Sequence, residues 1–399
     1  MLARHQRWME RNGLTLNETK TRPPRLLRSA FIVTTKATTS FMEGAPQGWR
    51  HLIDVAPTDL PEPCSLPCFP FYVSRFTPQP VCVTRTYDLV MTHKLDADDL
   101  FIHSVQRACA GARLNFFLIE PLWVEGFHRA LERGEVRARA LLNMHSEHHQ
   151  PEEIYHRLVK LAAEQGAFVI DPPDRAQAAF DKSRLHPRLV AAGIPVPHSV
   201  IVEPVNGDAV ALTPEERASL GTPFVIKPGM GYGRRGLVMD ASSEADLARS
   251  AAAWPDARYL FQRKIVPAQH DGAPLYWRAY FVFNRVWLCW WNCFTDQYRR
   301  VTAEEREAFG LGAVEEITRE IAALTGMTFF SSEFARTDAG EFVVIDYVND
   351  QCHLLSQTSN PQIGVPDDLV VEIAQRLVEG TVEALGLQGR GAAVNAAVG

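Results

Sequence analysis

The sequence predicts two architectures in succession: an α/β domain with a mostly parallel sheet, then an α+β region. Three observations predict it. Between residues 87 and 170 short apolar strands alternate with helices, which calls for βαβ crossovers. From residue 224 to 348 strands follow one another closely, with only two helices between them. The first of these strands ends in a lysine and runs into a loop with four glycines within eight residues, Gly229, Gly231, Gly233 and Gly236.

In chain order, the pattern begins near Val81. Strands are expected at 87–92, 115–119, 138–143 and 167–170, with helices at 98–110, 124–132 and 152–165. In the helix at 98–110 the apolar residues Leu100, Ile102, Val105 and Ala108 fall near helical spacing. A helix at 182–193 stops at Gly193 and the prolines Pro195 and Pro197. Strands follow at 199–203, 224–227, 259–264, 277–283 and 286–291, with helices at 244–254 and 314–325. The strands 330–337 and 341–348 form a hairpin around Asp338-Ala339-Gly340, and a helix at 367–385 closes the fold. The domain boundaries are drawn at 1–78 (an irregular, proline-rich extension), 79–180, 181–270, 271–390 and 391–399 (a small-residue tail expected to be disordered).

Composition excludes several classes. The 399 residues carry a net charge of -6, which gives no basic surface for nucleic acid. No run of about 18 apolar residues predicts a membrane span. The seven cysteines read as reduced thiols of a cytoplasmic protein. Neither Cys64/Cys68 nor Cys289/Cys293 has the spacing of a zinc site. The arginine-rich first thirty residues read as an exposed basic arm, because Glu10, Glu18 and Pro23-Pro24 do not suit a transit peptide.

Three groups of residues carry chemistry. The run 224–236 places Lys227 at a strand end, before glycines whose backbone N–H groups can cradle phosphate oxygens. It is neither a Walker loop nor a dinucleotide fingerprint, since a further strand follows it. Upstream, Asp181-Lys182-Ser183 opens a helix. Downstream, Glu333 and Asp346 lie on the two strands of the last hairpin, where facing acids repel unless a cation lies between them. Oxygen ligands in this number suit magnesium, and Asn349 can add a neutral oxygen.

In this order the elements resemble the ATP-grasp superfamily over about residues 80–385, within a bacterial branch of carboxylate–amine ligase-like proteins. The resemblance implies a preATP-grasp α/β domain followed by a two-lobed ATP-grasp fold, with ATP and Mg2+ as cofactors. Lys182 and Lys227 match the family's nucleotide lysines. Gln262, Arg263, Lys264 and Ile265 match the adenine hinge, and Arg278 matches an arginine placed between phosphates and substrate. Glu333, Asp346 and Asn349 match the magnesium ligands, and Arg278 and Lys227 carry the catalytic roles. Three departures stand out. The hinge lacks the usual Glu, which leaves Asp271 as a candidate ribose partner. The last metal motif reads Asp346-x-x-Asn349, so Asp350 competes with Asn349. The stretch 289–300 differs from D-alanine ligase and glutathione synthetase.

The resemblance implies that a carboxylate is phosphorylated and that an amine or another nucleophile then displaces phosphate. The expected partners are these small molecules; dimers are common in the family, so a homodimer is compatible. A phosphotransferase or a non-catalytic nucleotide-binding protein remains an alternative. Arg299 and Arg300 could clamp an anion or lie in a solvated turn. Trp290 and Trp291 alternate on a strand, so one packs inward while the other can face the cleft. The cluster His145-Ser146-Glu147-His148-His149 invites a metal reading but reads better as a polar loop.

Overall fold

The computed structural model describes residues 84–93, 99–145, 148, 150–204, 210–352 and 354–387. The expected N-terminal extension and C-terminal tail lie outside the described residues. So do Ser146, Glu147 and His149.

The first sheet has the order β2-β1-β3-β4 and is wholly parallel, with β1 at Arg85–His93, β2 at Phe116–Ile119, β3 at Val136–Met144 and β4 at Phe168–Ile170. Helices α1 (Leu100–Gly111), α2 (Val124–Glu132) and α3 (Ile154–Glu164) supply the crossovers that parallel pairing requires. Asp99 caps α1 by accepting from the Phe101 N–H, and Phe101, Ile102, Val105 and Cys109 form its buried face. That face packs in one core with the closing helix, α10 in chain order (Asp367–Ala384).

Two short helices lead out of this sheet, α4 (Pro173–Phe180) and α5 (Lys182–Ala191). The second sheet is antiparallel with the order β5-β8-β6-β7: β5 Ser199–Val202, β6 Phe224–Pro228, β7 Val238–Ala241, β8 Tyr259–Arg263. Its helices are α6 (Pro214–Leu220) and α7 (Leu247–Ala253). After a small ribbon, β9 (Gln269–His270) with β10 (Ala273–Pro274), comes the third sheet. Its order is β13-β12-β11-β14-β15, from β11 (Tyr276–Val282), β12 (Arg285–Trp291), β13 (Tyr298–Arg300), β14 (Phe329–Arg336) and β15 (Phe342–Asn349). Helices α8 (Ala303–Ala308) and α9 (Gly312–Thr325) lie between β13 and β14.

The third sheet is buried on both faces. Trp277, Phe281, Leu288, Phe330 and Phe334 point into a core shared with α5 and α9. Tyr280, Cys289, Trp291 and Phe329 point into the core shared with α1 and α10.

The structure adds elements that the sequence reading left out. Helices α4, α6 and α8 and strand β13 are three to eight residues long, too short for periodicity to register, whereas β7 is the strand expected after the glycine loop. Capping boxes do mark two of them, Thr213 with Glu216 and Thr302 with Glu305. The expected helix at 244–254 is a 3-10 turn at Glu244–Asp246 followed by α7. Helix α5 ends at Ala191, and Gly193 just beyond it takes φ +74°.

Candidate functional site

The site starts from the pairing of β14 with β15. Glu333 stands opposite Asp346, and Arg278 of β11 stands opposite Glu333 on the other side. Strict alternation would put Val344 and Asp346 on one face. The register shifts between Glu333 and Phe334, so Ile345 forms a bulge. Val344 therefore packs in the apolar core opposite Phe334, while Asp346 faces Glu333.

Arg278 forms an ion pair with Glu333 and donates a hydrogen bond to the Tyr298 hydroxyl at 2.7 Å. Its guanidinium also lies over the Trp291 ring, 5.3 Å from the centroid. Burial pushes the Glu333 carboxyl up, against the pull of Arg278. Burial also works to raise Asp346, but Lys182, Lys227 and Arg278 outweigh it and hold that carboxyl below its usual range. One oxygen of Asp346, Oδ1, is buried with no hydrogen-bond partner among the described residues.

Both lysines reach this hairpin from other elements. Lys182 is the first residue of α5, which Asp181 caps by accepting from Ser183 N–H and Arg184 N–H. Its Nζ lies 3.5 Å from Asp346 Oδ1 and donates to the Gly231 carbonyl at 3.0 Å. Lys227 of β6 donates to the carbonyl of Ile345, the bulged residue, at 2.6 Å. Burial pushes the Lys227 ammonium down, and Asp346 partly restores it. Three cations, Lys182, Lys227 and Arg278, thus surround two acids. The surplus positive charge suits an anionic ligand in a site where burial weakens screening.

The glycine loop is held at its root and at its tip. Gly229 donates to the Arg258 carbonyl at 2.8 Å and accepts from Lys182 N–H at 2.9 Å. Gly236 takes φ +70°, and a Cβ there would come within 2.7 Å of Trp254 and Pro228. Gly233 also takes a positive φ. At the tip, Arg234 donates to Asp296 Oδ1 and to the Cys293 carbonyl, both at 2.6 Å. The loop therefore bridges to the turn between β12 and β13.

Of the hinge residues, Gln262 and Arg263 sit within the ladder of β8, whose register ends at Arg263; Lys264 and Ile265 follow. The Gln262 side chain points inward and donates to the Tyr347 hydroxyl at 3.0 Å, and His186 Nδ1 meets the same hydroxyl at 2.7 Å. Arg263 donates to the Ser219 carbonyl. Asn349 pairs with Ser331 and donates to its carbonyl at 3.3 Å.

Other candidates fall elsewhere. Asp271 tips the exposed β9–β10 ribbon, whose His270 packs on Phe309, on the Trp277 side of the sheet and so away from Arg278. Arg299 is paired with Glu305, and Arg300 with Asp368 and Glu372, so internal carboxylates take both guanidiniums. Asp350 does not stand free beside Asn349, because His148 Nε2 holds it at 2.7 Å. His145 stacks on Tyr155. Among the described residues no group of three or more His, Cys, Asp or Glu side chains is placed to hold a metal ion; Ser146, Glu147 and His149 of the histidine cluster lie outside them. Trp291 lies on the Arg278 side, whereas Trp290 stacks between Trp277 and Phe309. Sequence reasoning missed Tyr298 and gave Tyr347 no role; no local signal marks either one.

No family model matches this sequence, and no curated protein matches it. Solved structures do. A RimK domain ATP-grasp protein from Sphaerobacter thermophilus superposes with TM-score 0.52 at 16% identity, over 74% of this chain and 99% of that one. The D-cycloserine synthetase DcsG gives TM-score 0.51 at 15% identity, over 73% and 99%. D-alanine–D-alanine ligase from Bacillus anthracis, solved with ATP, gives 0.50 at 12% identity, over 77% and 99%. With a parallel four-stranded sheet followed by antiparallel sheets of four and five strands, and with these superpositions, this chain has the ATP-grasp fold.

Proposed function

We propose that the chain is an ATP-dependent ligase that activates a carboxylate as an acyl phosphate for attack by an amine or a similar nucleophile. The observation that carries this reading is the meeting of two lysines with the acid hairpin: Lys182 Nζ is 3.5 Å from Asp346, and Lys227 Nζ is 2.6 Å from the neighbouring Ile345 carbonyl. These ammonium groups donate to the carbonyls of Gly231 and Ile345. Both are neutral acceptors that phosphate oxygens can replace at little cost.

In this reading Lys182, Lys227 and the glycines Gly229, Gly231, Gly233 and Gly236 hold the triphosphate. Gln262, Arg263, Lys264 and Ile265 present backbone to adenine. Glu333, Asp346 and Asn349 hold Mg2+. The Oδ1 of Asp346, which accepts no hydrogen bond from the described residues, and the two facing buried carboxyls fit a hard cation with oxygen ligands. The metal, when bound, neutralises charge on the phosphates. Arg278, kept straight by Glu333 and Tyr298, offsets charge on the group in transfer. Nothing requires a side-chain nucleophile, since phosphoryl transfer rests on positioning and charge stabilisation. The latch from Arg234 to Asp296 helps to keep water out. That D-alanine–D-alanine ligase has been solved with ATP supports the nucleotide assignment. A cytoplasmic location goes with it; no described helix is long and apolar enough to cross a membrane, and Cys109, Cys289, Cys293 and Cys352 are free thiols.

The test is a screen of amino acids and small carboxylic acids for nucleotide turnover, followed by product analysis. A ligase releases ADP and free phosphate together with a condensed product. Phosphate retained on the product would make the chain a phosphotransferase. Saturable ATP binding with no ADP release under any condition would leave it a nucleotide-binding protein.

A further inference from the structure

A cavity of about 640 Å³ opens beside the lysine cluster without including it. Its wall comes from His148 and Pro151, from α4 and the start of α5, from Met230 of the glycine loop, and from the segment 254–258 before β8. Neither Lys182, Lys227, Glu333 nor Asp346 lines it. Yet Asp181 and Ser183, which do, flank Lys182, and Met230 lies between Gly229 and Gly231. The cavity and the lysine cluster thus share a partition made of the α5 N-terminus and the root of the glycine loop.

Its chemistry is specific. His148 is buried, 2% exposed, and its Nε2 lies 2.7 Å from Asp350 Oδ2. A carboxylate can only accept, so Nε2 carries the proton of this contact, and in the neutral ring Nδ1 is then an acceptor. Nδ1 is buried and has no partner among the described residues. An unpaired buried acceptor is costly, and an N–H or O–H from a ligand removes that cost. The charged wall adds a sign. Arg184 is paired with Asp181 at 3.2 Å, and Arg258 with Glu203 at 3.1 Å. Asp256 accepts from Met230 N–H and Arg258 N–H but has no cationic partner among the described residues, and neither does exposed Asp174.

We propose that this cavity is a binding site for an amine, taken up as its ammonium ion, which donates to His148 Nδ1 and is drawn in by Asp174 and Asp256. The site stands whether or not the lysine cluster binds ATP. Because Met230 forms part of its wall, an occupant also bears on the position of the glycine loop.

The experiment is calorimetric titration of the full chain with n-butylamine, putrescine and spermidine, with succinate as the anionic control. At least one amine is expected to bind saturably, and succinate is not. Asp174→Lys, a surface change that leaves the core untouched, is expected to weaken amine binding at least tenfold. His148→Phe, which keeps a ring against Phe180, is expected to do the same without the added charge. Circular dichroism checks that both variants fold. No saturable amine binding by the native chain would overturn the proposal. So would equal affinity in the native chain and a folded Asp174→Lys, or succinate binding more tightly than the amines. ATP titrations run alongside separate the two ideas: unchanged ATP binding in Asp174→Lys with lost amine binding supports two sites, and failure of ATP to bind the native chain bears on the ligase reading alone.

Discussion

Trp277 and Arg278 are neighbours on β11, and the sheet sends them to opposite faces with opposite physics. Trp277 is wholly buried among rings, with Trp290 at 4.8 Å, Phe342 at 5.6 Å and Phe309 at 6.0 Å between centroids. Arg278 is nearly as buried, but every contact described for it is specific: Glu333, Tyr298 and the face of Trp291. The aromatic face is held by area and shape, and many residues share its energy. The charged face is held by a few pairs, each needed to make the next one tolerable in a buried setting. Damage to the first face should therefore be read in stability alone, and damage to the second in turnover beyond any loss of stability.

The largest expected effect tests the charged face. Glu333→Gln and Asp346→Asn each keep the size and shape of the side chain but remove one negative charge between Lys182, Lys227 and Arg278. Each variant is expected to lose ATP turnover by about 10³-fold or more, and Glu333→Gln, which leaves Arg278 buried without its carboxylate, is expected to lower the thermal midpoint as well. ADP release under the conditions where the native chain is active is the measurement. Near-native turnover in both variants would refute the magnesium assignment.

How much of this arrangement the sequence made legible differs between the two faces. Alternation alone placed β11, β12 and the final hairpin to within two residues, because Trp277, Phe281, Phe330 and Phe334 repeat with the period of a half-buried strand. That Glu333 and Asp346 lie on paired strands was legible too, but the register set by the Asp338-Ala339-Gly340 turn would put Glu333 opposite Ile345. The bulge at Ile345 was not legible. Counting by twos from Val344 sends Asp346 into the apolar core, and only pairing with β14 reveals the extra residue. The carbonyl freed there, which Lys227 uses, was invisible for the same reason. Arg299 and Arg300 show another limit: Arg300 finds Asp368 and Glu372 across some seventy residues of chain, and no local pattern announces such partners.

The next effect belongs to the aromatic face. Trp277→Ala leaves a large cavity at the centre of the ring cluster and is expected to cost about 3–5 kcal/mol of stability. Turnover per folded molecule should hold. Denaturant unfolding and activity normalised to the folded fraction measure the two quantities. Trp277→Phe should cost much less, because the indole N–H has no hydrogen bond to lose. A loss of turnover in Trp277→Phe larger than its loss of stability would show that the two faces are coupled through β11.

The smallest effect probes the polar group that the aromatic face does contain. His186, one turn after Lys182 on α5, meets the Tyr347 hydroxyl at 2.7 Å in the same core as Trp277. Burial lowers its pKa from 6.5 to about 4, with His198 and Lys227 adding to the shift. Between those values the unfolded chain binds a proton that the folded chain refuses. The contribution of His186 is therefore complete above pH 6.5 and is lost as pH falls toward 4. His93, lowered to about 4 by burial, acts in the same direction. His186→Gln keeps a partner for Tyr347 but cannot titrate. It is expected to reduce proton uptake on unfolding by up to about one proton in this window and so flatten the acid slope of stability, without abolishing it while His93 remains. Unfolding free energies measured from pH 4 to 7 give that slope. An unchanged slope would mean that His186 already carries its proton in the folded chain, and the division between an uncharged aromatic face and a charged opposite face would then fail at α5.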